Sequence, residues 1–366
     1  MTSIVLKQES PLQTAFQSTI QSIFSPDVID FWASHLHPTW SWQRPLARII
    51  ARKVEGQGSI TLTLKPNRHA KPFLAGQHLN ITTEINGSRV TRSYSPTRLP
   101  QQKGVFNITI KRVRGGKAST WFTEYAKVGQ VVELGEPFGE MTLSHIHQKH
   151  LFLAAGSGIT PFISLIREWV TQGTHGQATL IYWAKTQAEL CFVDEFTKLT
   201  NAHPNLKVHY ILTQEKSENQ QFNERINSEI LQTLISDLNE HVVYSCGPAN
   251  FVEQARQFTQ QTAQEFHGEA FSIAQLDAET TEYVDIQLTK SNRSISVPVG
   301  QSILTALEAQ GIKPASGCRM GICNTCVCTK QAGTTEHILT KDQDTETGSS
   351  VRICVSSARS NVTLDL

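Results

Sequence analysis

The sequence predicts a multidomain chain: an antiparallel β-barrel, then an α/β domain on a parallel sheet, then a smaller β-rich unit. Three observations predict it. A chain of 366 residues holds two to three domains at roughly 150 residues each. Hydrophobic periodicity changes twice, from alternation to strand–helix repetition and back. Five of the seven cysteines crowd into the last 49 residues, a poor disulfide framework and a good metal-site candidate.

Residues 1–42 read as a helical extension. Phe16, Ile20, Ile23 and Phe24 recur at helical spacing. Ser25-Pro26-Asp27 then reads as a cap, with proline in the first turn of a second helix carrying Val28, Phe31, Trp32 and Leu36. These apolar residues are expected to pack on the barrel as a lid. From 43 to 147 the period is two: segments 60–64, 79–83 and 105–110 are β-rich and separated by Gly, Pro and Asn turns, as in an antiparallel barrel. From 148 to 271, buried strands at 151–155, 178–182, 208–212 and 242–246 alternate with helical patterns near 189–200, 226–238 and 249–264, the signature of a parallel sheet. Residues 272–282 read as a polar linker, and 283–366 form the last unit.

Composition excludes several classes. Lys and Arg number 33 against 32 Asp and Glu, a net charge of +1, which argues against a nucleic-acid binder relying on bulk charge. No apolar run reaches the roughly 18 residues of a membrane span. The first residues lack a basic segment followed by an apolar one, so a cytoplasmic protein is expected. His145, His147 and His150 have no acidic or cysteine neighbour and read as a solvated turn.

Cys318, Cys323 and Cys326, then 27 residues to Cys354, have the C-x4-C-x2-C…C spacing of plant-type [2Fe–2S] sites. A tight loop supplies three thiolates and a distant segment the fourth, two for each iron. Structural zinc usually takes paired C-x2-C units, and only one is present. A Rieske centre needs two histidines, and none stands in this loop. Cys328 and Cys191 read as bystanders. The flanking chain resembles the plant-type ferredoxin module, an α+β β-grasp fold, with 304–308 in its helix and 283–298 in its first hairpin. Free ferredoxins of this type are usually acidic, whereas 283–366 hold seven acidic and eight basic residues. A tethered module needs less electrostatic steering.

Arg92-Ser-Tyr-Ser-Pro-Thr97 ends one barrel strand, and Arg114-Gly-Gly-Lys-Ala-Ser-Thr120 follows another. Arginine grips phosphate, and a glycine turn offers free N–H groups to the same anion. Here the chain resembles the ferredoxin–NADP⁺ reductase-like family. The resemblance implies Arg92 on the flavin phosphates, Tyr94 against the isoalloxazine, and catalytic Ser95 near flavin N5. It also implies Gly116, Lys117 and Ser119 at the pyrophosphate, which favours FAD over FMN.

Segment 151–161 is a strand, a glycine turn and a helix opened by Pro161. Gly156, Gly158 and Thr160 bring backbone close to phosphate. Pro161 stands where the dinucleotide fingerprint has its third glycine, and the family form is G-x-G-x-x-P. Tyr244-Ser-Cys-Gly-Pro248 is the second landmark. It implies catalytic Cys246 beside the nicotinamide, with Gly247 and Pro248 shaping the pocket. Glu269 resembles the acidic residue that completes the flavin pocket. Lys185, after the second strand of this domain, leaves room for a 2′-phosphate where an acid would suit a free hydroxyl. The nucleotide is therefore NADPH or NADH.

The resemblance implies electron transfer from NAD(P)H through FAD and a [2Fe–2S] cluster to an external acceptor. The segment Pro38-Thr-Trp-Ser-Trp-Gln-Arg44 ahead of a reductase–ferredoxin chain resembles the partners of bacterial membrane di-iron fatty-acid desaturases. That implies a desaturase acceptor and peripheral docking at the inner face of the membrane. The alternative acceptor is a Rieske-type oxygenase or another monooxygenase. A redox-sensing protein without steady turnover is the alternative of another class.

Overall fold

Alternation in the first half builds an antiparallel sheet whose two edges are joined by one residue. Its strands are β1 (Leu46–Gly56), β2 (Ser59–Pro66), β3 (His78–Ile85), β4 (Ser88–Tyr94), β5 (Pro96–Arg98), β6 (Phe106–Lys111) and β7 (Val131–Phe138). Their order is β4-β3-β7-β1-β2-β6-β5. β4 and β5 are opposite edges, yet only Ser95 separates them in sequence. The sheet must therefore curl on itself into a barrel with its seam at Ser95. Leu62, Leu64, Ile81, Ile108 and Phe122 fill the interior.

The computed structural model describes residues 26–99, 102, 104–144, 148–173, 176–215, 223–272, 282–338 and 340–366. The apolar repeat 16–24, His145, His147 and most of the 272–282 linker lie outside these residues. Helix α1 (Pro26–Leu36) forms where the cap and proline place it. It does not use its apolar stripe as a lid. Val28, Phe31, Trp32 and Leu36 are 50–77 % exposed. Polar contacts tether the segment instead: Trp42 N donates to Asp30 Oδ1 at 2.5 Å, and Asn67 Nδ2 donates to the Thr39 carbonyl at 3.1 Å.

The second domain is a five-stranded parallel sheet of β8 (Lys149–Ala155), β9 (Gln177–Ala184), β10 (Leu206–Leu212), β11 (His241–Pro248) and β12 (Glu265–Ser272), ordered β10-β9-β8-β11-β12. A short helix α2 (Lys117–Thr120) belongs to the barrel, whereas α3 (Ile159–Thr171), α4 (Val193–Ala202), α5 (Ser228–Leu234) and α6 (Ala249–Thr259) flank the parallel sheet. Phe162, Ile166 and Phe196 cover one face, and Ile230, Leu231, Val252 and Ala255 the other. Chain order reverses between β8 and β11, the switch point where such sheets bind nucleotides. α5 is shorter than the 226–238 pattern suggested: Asn227 caps its start, its Oδ1 accepting from Ile230 N at 2.9 Å, and the helix ends at Leu234. His150 is no solvated turn residue. It is buried and stacked on Phe152 and Tyr244.

The third unit packs helix α7 (Ile303–Ala309) on a mixed sheet. β13 (Tyr283–Leu288) pairs antiparallel with β14 (Arg293–Pro298) and parallel with a C-terminal strand, Val362–Leu364. This is the β-grasp arrangement. Between α7 and these last strands, the strand Val327–Ala332 leaves the cysteine loop, and Cys328 faces the core.

Candidate active site

The seam of the barrel opens into a cavity of about 430 Å³. Arg92, Tyr94, Ser95, Gly116, Lys117, Ser119 and Thr160 line it together, so two motifs some twenty residues apart and one from the next domain meet at one place. Tyr94 sets its ring edge-on to Phe122 at 5.6 Å, and burial pushes its hydroxyl far above the ordinary tyrosine value. Gly116 packs closely: a Cβ there would sit 2.4 Å from Ser119 Oγ and 3.1 Å from the Val113 carbonyl oxygen. That hydroxyl closes the turn by accepting from Val113 N at 3.1 Å. A second cavity shares Gly116 and Lys117 and runs on past Trp121 and Tyr125. The pair suits a cofactor longer than a mononucleotide, with cationic and N–H groups where the two halves join.

Ser95 is buried, and its Oγ lies 3.1 Å from His78 Nδ1 and 3.4 Å from Thr160 Oγ1. His78 Nε2 is 2.5 Å from Glu269 Oε2. A carboxylate only accepts, so Nε2 carries a proton. In the neutral ring Nδ1 then accepts from the Ser95 hydroxyl, while the charged ring donates to it. Ser95, His78 and Glu269 thus form a buried chain from the cavity wall to the interdomain cleft. Sequence reasoning found the two ends and missed His78. Phe271, edge-on to His78 at 6.0 Å, lines the same cavity and was also missed.

The nicotinamide motifs meet at the switch point. Gly156 and Gly158 form the turn just after β8, and Cys246, Gly247 and Pro248 end the adjacent β11. A Cβ on Gly158 would lie 2.0 Å from the Cys246 carbonyl oxygen, so only glycine lets the two backbones touch. Pro161 sits buried in the first turn of α3. Cys246 is fully buried and pairs in register with Glu269 of β12. Burial first, and then the Glu269 charge, hold its thiol well above its ordinary value. It is a buried neutral thiol, not a thiolate. Lys185 is exposed just past β9, apart from the flavin cavity.

The cysteine loop closes the cavity at the barrel seam. Thr305, Cys318, Arg319 and Met320 line it from the third unit. A Cβ on Gly317 would meet Cys323 Sγ at 2.8 Å and Asn80 Nδ2 of β3 at 3.0 Å, so the loop seats on the barrel beside the flavin motif. Backbone N–H groups of Met320, Ile322 and Cys323 point at Cys318 Sγ from 3.3–3.4 Å, and Cys318 N at Cys323 Sγ from 3.2 Å. The four thiols act in two pairs: the Cys318 thiol lowers that of Cys323, and the Cys354 thiol lowers that of Cys326. Among the described residues no three Cys, His, Asp or Glu converge on one ion. Two pairs, each able to take one iron, fit a two-iron cluster better than a single tetrahedral metal.

Family comparisons agree with this geometry. Residues 51–143 match the oxidoreductase FAD-binding domain family, 152–257 the oxidoreductase NAD-binding domain family, and 286–359 the 2Fe-2S iron-sulfur cluster binding domain family. The chain is an electron-transfer reductase of the ferredoxin-reductase type, with FAD, NAD(P) and C-terminal [2Fe–2S] domains in the order of phthalate dioxygenase reductase. The solved structure of that reductase, described as modular for electron transfer from pyridine nucleotides to [2Fe–2S], superposes with a TM-score of 0.62 at 26 % identity, covering 88 % of this chain and 97 % of that one. An NADPH oxidoreductase of Mycobacterium tuberculosis is 28 % identical over 96 % of this chain and 92 % of its own length, which reaches into the N-terminal extension. A glycine betaine monooxygenase reductase subunit of Chromohalobacter salexigens is 23 % identical over 80 % of this chain and 87 % of its own. No helix among the described residues is long and apolar enough to cross a membrane.

Proposed function

We propose that this reductase is the electron-supplying component of an oxygenase, taking electrons from NAD(P)H and delivering them to a separate terminal enzyme. The observation that carries the reading is the cysteine loop forming a wall of the flavin cavity. The names of the monooxygenase and dioxygenase reductases it resembles support the acceptor class. When bound, FAD supplies conversion of a two-electron donor into single electrons, and the cluster a one-electron carrier.

The residue roles follow in the same reading. Arg92, Gly116, Lys117 and Ser119 hold the FAD diphosphate, and Tyr94 packs against the ring. Ser95, backed by His78 and Glu269, presents a hydrogen-bonding hydroxyl at the reacting edge. Gly156, Gly158, Thr160, Pro161, Gly247 and Pro248 seat the dinucleotide, with Cys246 as the wall beside the nicotinamide. Lys185 takes the 2′-phosphate. Lys185→Glu then raises KM for NADPH more than for NADH. Cys318 and Cys323 hold one iron, and Cys326 and Cys354 the other.

A second acceptor, a membrane di-iron fatty-acid desaturase with the reductase docked peripherally, is favoured by the exposed apolar stripe of α1. Reconstitution separates the two: NADPH oxidation is measured with a purified Rieske oxygenase and with a desaturase in phospholipid vesicles. Product formed only in vesicles overturns the oxygenase reading. Negligible turnover even with cytochrome c leaves the redox-sensing alternative.

A further inference from the structure

The flavin cavity is walled by Arg92, Lys111 and Lys117 of the barrel and by Arg319 of the cysteine loop, with no carboxylate among the described residues of its lining. Lys111 is neutralised by Glu189 at 2.7 Å. Arg319 lies close enough to Arg92 that, after burial, its charge is the next cause lowering the Arg92 guanidinium. Glu308 of α7 grips both terminal nitrogens of Arg319. That grip fixes the guanidinium at the cavity wall, and its Nε is buried with no acceptor among the described residues. The loop reaches this placement with a non-glycine residue at φ +60°, a conformation that costs free energy and persists where the surroundings enforce it.

Arg92 and Arg319 line one cavity from different domains, and Glu308 balances only one of the two guanidinium charges. We propose that Arg319 is a second cationic ligand for the FAD diphosphate, so that the cofactor itself ties the cluster loop to the barrel. A diphosphate is the anion that fits, because Arg92 and Lys117 approach from the barrel side and an oriented guanidinium hydrogen-bonds phosphate oxygens directly. The inference rests on FAD occupying this cavity and is independent of the terminal acceptor.

The test uses the full-length chain with its cluster assembled and its flavin removed. FAD, FMN and riboflavin are titrated by flavin fluorescence into the wild type, Arg319→Ala and Arg319→Lys. The expected result is a Kd for FAD raised about tenfold by Arg319→Ala, largely restored by Arg319→Lys, with riboflavin unaffected. An unchanged FAD Kd, or an equal loss for riboflavin, overturns the proposal. Linkage gives a readout that a purely structural arginine would not move. FAD should slow bleaching of the cluster by an iron chelator in the wild type by about fivefold or more, and not in Arg319→Ala. Equal protection in both chains overturns it too. If Arg319→Ala fails to assemble its cluster, Arg319→Gln takes its place with the same expectations. A wild type that binds no FAD would instead refute the cofactor assignment itself.

Discussion

Removing the His78 imidazole tests the buried chain behind Ser95. Its link to Glu269 spans 2.5 Å, with side-chain exposures of 1 % and 10 %. A hydrogen bond to a charged acceptor contributes about 1.5–3 kcal/mol, and burial at both ends puts this one at about 2–3 kcal/mol. His78→Ala, Glu269→Ala and the double variant form a thermodynamic cycle, read as release of flavin fluorescence on heating. At about 2–4 °C per kcal/mol for a unit of this size, His78→Ala lowers the midpoint by roughly 4–12 °C. The double variant should be no worse than the more damaging single one, because the partner no longer leaves a buried group unpaired. Flavin reduction by NADPH in His78→Ala should also slow by roughly tenfold, since Ser95 loses its orienting partner. A coupling below about 0.5 kcal/mol, within ordinary additivity, would refute the reasoning.

Three further predictions follow from single contacts. Gly158→Ala must separate β8 from β11, since its Cβ would lie 2.0 Å from the Cys246 carbonyl oxygen. NAD(P)H should bind about tenfold or more weakly while FAD is retained, and unchanged nucleotide affinity would count against the switch-point site. Cys323→Ser should lose the cluster, whereas Cys328→Ser, whose side chain faces the core, should keep about two irons per chain. Iron loss from Cys328→Ser would contradict the pairing. Glu336 is paired with Arg359 at 2.5 Å and Lys341 at 3.7 Å, and the Arg359 hydrogen bond lowers its carboxyl below the ordinary value of 4.5. A depressed folded value gives stability that is present above about pH 4.5 and is lost as pH falls from there through the lowered folded value. The C-terminal domain should therefore lose stability in acid, and Glu336→Gln should flatten that slope in a melting series across pH.

The motifs that were legible share one property: each is a continuous stretch folded into a single turn. The spacing of Cys318, Cys323 and Cys326 is itself the shape of a loop. Arg92–Ser95 and Gly156–Pro161 likewise carry their geometry in consecutive residues. His78 has no such signal. Its partners are 17 and 191 residues away, and only its inward position at the start of β3 hints at burial. Arg319 was visible only as the residue after a cysteine, because its neighbour Arg92 belongs to another domain. Helix α1 shows the converse. Periodicity correctly marked an apolar stripe, but a period says which residues share a face and nothing about what covers it.

The one-residue seam sets where this fold can tolerate a change of length. Between β3 and β4, Asn86 and Gly87 form a tight turn with positive φ at both positions, and a Cβ on Gly87 would meet nothing within 4 Å. An insertion there only lengthens a loop tip. One residue added between Tyr94 and Pro96 has no slack to occupy. It would shift β5 against β6, turn its alternate side chains from interior to surface, and pull Ser95 away from His78. Insertions and deletions, rather than point substitutions, are the changes to which the flavin edge is least forgiving.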